Sequence, residues 1–87
     1  MKKFKYNSTH DFDDDYKKLR KNHDLINRVK KKMHKIRENP FHYKPLRNVL
    51  KNKRRTHIGS FVLTFEIDEI NNIITFQSLK HHDRSYK

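Results

Sequence analysis

The chain has no cysteine, so a disulfide framework and thiolate chemistry are both excluded. One glycine and two prolines in 87 residues are too few for a linker or a low-complexity segment. Tryptophan is absent and hydrophobic residues make up only 32%, so any core is small. No apolar run approaches the ~18 residues of a membrane span, and nothing after Met1 resembles the apolar part of a signal peptide. The expectation is a soluble cytoplasmic protein with no membrane partner. Carboxylates are the last scarcity: 10 Asp plus Glu stand against 22 Lys plus Arg, a formal net charge of +12. That balance argues against an acidic or neutral enzyme and points to a polyanionic partner. The length leaves room for a single compact unit, residues 1–87.

High charge with low hydrophobicity is also the composition of disordered chains. Placement argues otherwise, because the few apolar residues recur at regular spacings. Residues 2–6 alternate Lys and aromatic side chains and predict a short first strand. Asn7, Ser8 and Thr9 are helix-capping types, and residues 11–15 load carboxylates into a first turn. Capping is therefore a better account of Asp13-Asp14-Asp15 than a magnesium site. Phe12, Tyr16 and Leu19 fall at i, i+4 and i+7, one stripe of a helix reaching about residue 21. After the break at Asn22-His23-Asp24, the residues Leu25, Ile26, Val29, Met33 and Ile36 mark the buried face of a second helix, which stops before Asn39-Pro40. Its other face carries Arg28, Lys30, Lys31, Lys32, Lys35 and Arg37 and reads as solvated surface. So short a break predicts an antiparallel helical hairpin.

Residues 40–52 are irregular, with Pro45, Leu46, Val49 and Leu50 as expected anchors on the core. Strands are predicted over 54–58, 61–68 and 73–79, the first two joined at Gly59-Ser60. Phe61, Leu63, Phe65 and Ile67 alternate with Val62, Thr64 and Glu66, so one sheet face is buried and the other more polar. The predicted order is β-α-α-β-β-β. It describes an α+β domain: an N-terminal strand, a helical hairpin, then a three-stranded antiparallel meander, all on one small sheet.

The cations are unevenly spread. No acidic residue lies between Glu38 and Glu66, where Lys44, Arg47, Lys51, Lys53, Arg54 and Arg55 stand with His42 and His57. On a strand Lys53, Arg55 and His57 share a face, the one the helices leave open. His82 and Arg84 have the same period-2 spacing, which would bring the tail to that face. Strands disfavour lysine runs, and like charges repel unless an anion sits among them; a phosphate backbone is such an anion. Lys44, Arg47, Lys51, Arg54 and Lys80 are further expected contacts to such a backbone. No metal or cofactor is expected: His81 and His82 as strand neighbours would point apart, and His10, His23, His34 and His42 lack ligand spacing. Neither a glycine-rich phosphate loop nor a nucleophile motif around Ser or Thr is present.

Asn39-Pro40-Phe41, Pro45-Leu46, the run from Lys53 through Ile58-Gly59-Ser60 to Ile67, and the closing His81-His82-Asp83-Arg84-Ser85-Tyr86-Lys87 resemble, over essentially the whole chain, the RelE/ParE superfamily of toxin–antitoxin toxins. The resemblance implies the RelE-like fold and, for its archaeal-type RelE branch, a small basic endoribonuclease that cuts mRNA in the ribosomal A site. It also implies metal-free attack by the 2′-hydroxyl, a 2′,3′-cyclic phosphate product, and a RelB-type antitoxin as partner. Carried over by motif position, Lys53 and Arg55 hold the scissile phosphate or stabilise the transition state, His57 carries protons, Arg84 contacts phosphate or leaving group, and Tyr86 stacks on the cut nucleotide or transfers protons near it. Val62 and His82 depart from the family, where many members carry Arg: either the loss of both charges weakens catalysis, or His82 with His57 takes over acid–base chemistry. Two other functions remain open for this fold: a ParE-like gyrase poison, and a non-catalytic RNA- or ribosome-binding module.

Overall fold

A computed structural model describes residues 4–45 and 52–85, the side chains of 84 and 85 excepted. The chain forms β1 (Lys5–Ser8), α1 (His10–Lys18), α2 (His23–Glu38), a 3-10 turn (Pro40–His42), β2 (Lys44–Pro45), β3 (Lys53–Ile58), β4 (Phe61–Asp68), β5 (Ile73–His81) and α3 (His82–Ser85). One five-stranded sheet runs in the order β1-β5-β4-β3-β2. The α+β class and the β-α-α-β-β-β backbone of the prediction are those observed.

The differences are local. The first strand lies at Lys5–Ser8, later than predicted, and pairs parallel with β5, so the sheet is mixed. β2 is an added strand of two residues, and its Pro45 is exposed and not a core anchor. Leu46, Val49 and Leu50, the other expected anchors, lie outside the described residues. The tail does not continue with period 2, because His82 opens a short helix.

Side-chain pattern dictates the layers. Phe65, Phe76, Leu63, Ile74, Ile67 and Leu79 are at most 2% exposed and face Val29 and Ile36 of α2 and Phe12 of α1. Register pairs them across the strands as Leu63–Leu79, Phe65–Phe76 and Ile67–Ile74. A bulge falls between Thr64 and Phe65, where Ser78 and then Phe76 are the partners, so Gln77 is passed over and the alternation is reset. The helices start where the capping side chains are. Thr9 accepts from the Phe12 amide and Asn22 from that of Leu25. α2 is tied to β1 at its far end, where Arg37 Nε donates to the Phe4 carbonyl and its guanidinium lies 4.5 Å from the Tyr6 ring centroid.

Gly59 turns β3 into β4 with φ of +59°, a left-handed conformation that costs a side chain. A Cβ there would also stand 3.3 Å from Arg28 Nη1. Gly59→Ala is expected to lower stability by about 1–2 kcal/mol, read as a lower urea midpoint with unchanged slope. An unchanged midpoint would mean the turn relaxes into another type.

Candidate active site on the open sheet face

Cross-strand register assembles the face away from the core. Lys44 of β2 is opposite Arg55 of β3, Arg55 is opposite Thr64, and Thr64 is opposite Ser78. The next row is His57–Val62–Lys80, and the row on the other side is Lys53–Glu66–Thr75. Directly opposed like charges destabilise a sheet, so the Lys44–Arg55 pair is a locus where an anion would relieve repulsion. Lys53 instead stands in register with Glu66. It stands four residues from His57, about 13 Å along the strand. Val62 is only 2% exposed, although it points away from the main core.

The hairpin end of this face gathers the histidines. His57 lies one residue before Ile58, and the His82 amide donates to the Ser60 carbonyl at 2.8 Å. α3 packs there against β4 and β5. Arg84 lies within α3. Because His82 takes helical geometry, the expected opposite orientation of His81 and His82 does not hold. Their rings are 5.7 Å apart, and one ligand atom each from His81, His82 and Asp83 lie within 4.8 Å of one another on an exposed surface.

Two expected RNA contacts are otherwise engaged. Arg54 projects to the core side of β3, where its Nη1 donates to the Tyr43 carbonyl and its guanidinium lies 5.5 Å from the Phe41 ring centroid. Lys80 reaches α1, its Nζ 3.0 Å from Asp15 and 3.5 Å from Asp11. The hydrogen bond to Asp15 holds the Lys80 ammonium pKa above its ordinary 10.5, against the opposing effect of burial. A raised lysine pKa stabilises the fold fully below 10.5, and that contribution is lost as pH rises through the raised value. Lys44 is exposed in β2, and Arg47, Lys51 and Tyr86 lie outside the described residues.

Asp15 is the residue sequence reasoning missed. It was assigned to a capping turn, but Thr9 is the cap and Asp15 is 5% exposed. β1 covers only the first half of β5, up to Phe76. Beyond it α1 serves the strand edge: the Thr9 hydroxyl donates to the Gln77 carbonyl, and the Asp15 carboxylate accepts from the Leu79 amide at 3.0 Å. This satisfies an edge that would otherwise present a buried unpaired N–H. The signal was present in the sequence, since Asp15 lies on the same helical stripe as Phe12, Tyr16 and Leu19.

Residues 6–86 match the family described as the ParE toxin of type II toxin–antitoxin systems. The chain belongs to this family, within the RelE/ParE superfamily. The RelE4 protein of Methanocaldococcus jannaschii, named as a toxin, is 48% identical over 60 residues, 68% of this chain and 64% of that relative. This chain thus aligns with somewhat less than two thirds of that relative's length. A protein of Methanosarcina mazei is 36% identical over 78 residues, 87% of this chain and 91% of its own. The superfamily fold recurs in the Escherichia coli DinJ–YafQ toxin–antitoxin complex, with a TM-score of 0.80 at 17% identity over 99% of this chain and 100% of that one. It recurs also in the archaeal RelE–RelB complex of Pyrococcus horikoshii, with a TM-score of 0.74 at 12% identity, covering 95% and 99%.

Proposed function

We propose that this toxin is a ribosome-dependent mRNA endoribonuclease whose site is the hairpin end of the open sheet face. The observation that carries the reading is the opposed Lys44–Arg55 pair beside His57, with His82 brought to the same end by α3. RNA cleavage without a metal needs charge around a pentacoordinate phosphorane, a base for the 2′-hydroxyl and an acid for the leaving oxygen. Arg55 and Lys44 supply the charge. One imidazole takes the 2′-hydroxyl proton as the 2′-oxygen bonds to phosphorus. The other protonates the 5′-oxygen as its bond to phosphorus breaks, leaving a 2′,3′-cyclic phosphate. Arg84 and Tyr86 follow in the chain and take the roles the family resemblance implies, at the leaving group and on the cut base. A RelB-type antitoxin would neutralise the toxin by covering this cationic face.

A message carrying a single 2′-deoxy nucleotide just 5′ of the cut tests the chemistry. The account expects loss of that cut on translating ribosomes, and cyclic phosphate ends on the all-ribose message. Cleavage at the deoxy position would mean that water, not the neighbouring hydroxyl, is the nucleophile. The family's ParE description favours one second reading, a gyrase poison. In that case the purified toxin would arrest gyrase supercoiling, and His57→Ala and His82→Ala would leave toxicity intact.

A further inference from the structure

The basic face of α2 was expected to be plain solvated surface. The fold instead sets it beside the edge of β3, where Arg28, Lys31, Lys32 and Lys35 line a groove of about 200 Å³ together with His57 and Ile58. Among the described residues no carboxylate lies within ion-pair distance of any of these four cations, although like charges at i, i+3 and i, i+4 repel along a helix. Among the described residues Lys32 also lies 5.9 Å from the Tyr43 ring centroid. His57 belongs both to this groove and to the candidate site, so the two cationic surfaces are continuous around the β3 edge.

We propose that the α2 groove is a second RNA-binding site, a track for the phosphate backbone of the strand whose scissile phosphate lies on the open sheet face. The inference rests on the ribonuclease reading, which it extends by a binding surface. The length suits a backbone track: Arg28 to Lys35 spans about 10 Å along the helix axis, enough to meet more than one phosphate of a single strand. Chemistry agrees as well. A protein partner would bury apolar surface at the centre of its contact, whereas Ile58 is the one apolar residue lining this groove. Lysines and arginines on a helix, without base-reading geometry, fit sequence-independent backbone contact.

Binding of a labelled 2′-O-methyl oligoribonucleotide, which keeps the phosphates but lacks the nucleophile, tests the track across a salt series. In the triple variant Lys31→Gln/Lys32→Gln/Lys35→Gln, the log–log salt slope is expected to become shallower by about 2, with roughly ten-fold weaker binding at low salt. The control Lys17→Gln/Arg20→Gln/Lys21→Gln removes the same charge from an exposed stretch away from the groove and is expected to keep the wild-type slope. Equal losses in both variants would reduce the effect to net charge and overturn the proposal. So would an unchanged slope in the α2 variant combined with lost binding of a polyglutamate probe, which would assign the groove to an acidic protein. An unchanged slope with normal cleavage on ribosomes would overturn the track and leave the ribonuclease reading standing. Failure of the wild type to bind the oligonucleotide at any salt would overturn the track, while absence of cuts on translating ribosomes would overturn the ribonuclease reading.

Discussion

Asp15→Ala is expected to destabilise the protein by about 2–4 kcal/mol. The carboxylate accepts from the Leu79 amide at the edge of β5 and lies 3.0 Å from the Lys80 ammonium. Removing it strands a buried N–H and leaves a half-buried cation with only Asp11, at 3.5 Å, for compensation. For a chain of this size each kcal/mol moves the melting temperature by about 4–8 °C, so a fall of roughly 10–25 °C should be seen by circular dichroism. Asp15→Asn keeps an acceptor for the amide while losing the charge, and should cost about half as much. The exposed Asp11→Asn should change stability by less than about 0.5 kcal/mol. A loss below about 1 kcal/mol in Asp15→Ala would show that water serves the Leu79 amide as well as the carboxylate does.

The second large effect is on chemistry. Arg55→Ala is expected to slow message cleavage about 10²–10³-fold, the usual consequence of removing one group that stabilises transition-state charge. Arg55 sits in the central row of the open face, opposite Lys44 and one row along the same face from His57. Lys53 stands in register with Glu66 at the other end of the strand, so Lys53→Ala should cost at least ten-fold less than Arg55→Ala. Single-turnover rates on programmed ribosomes, with folding checked by circular dichroism, measure both. Equal losses would place the scissile phosphate between the two cations and not at the hairpin end.

Much of this was legible because the pattern carried it. Strand alternation in Phe61, Leu63, Phe65 and Ile67 located the buried face, and the Gly59-Ser60 turn set the register that places Arg55 and His57 on the other. Parallel pairing of β1 was not legible, since four exposed residues carry no mark of their partner. Nor was the role of Arg54. Alternation puts it on the core side, where a guanidinium can remain only because Tyr43 and Phe41 receive it. Asp15 was hidden by its neighbours, because a run of three aspartates near a helix start suggests a cap. The join between α2 and the open face is a tertiary fact: four cations on a helix look solvated until the helix is seen against His57.

The most direct test of the central claim is a defined translation reaction with the cut sites mapped by primer extension, comparing the wild type with Arg55→Ala. The account predicts discrete cuts in the A-site codon, seen only with ribosomes and lost in the variant. Intact message with translation still running would contradict it.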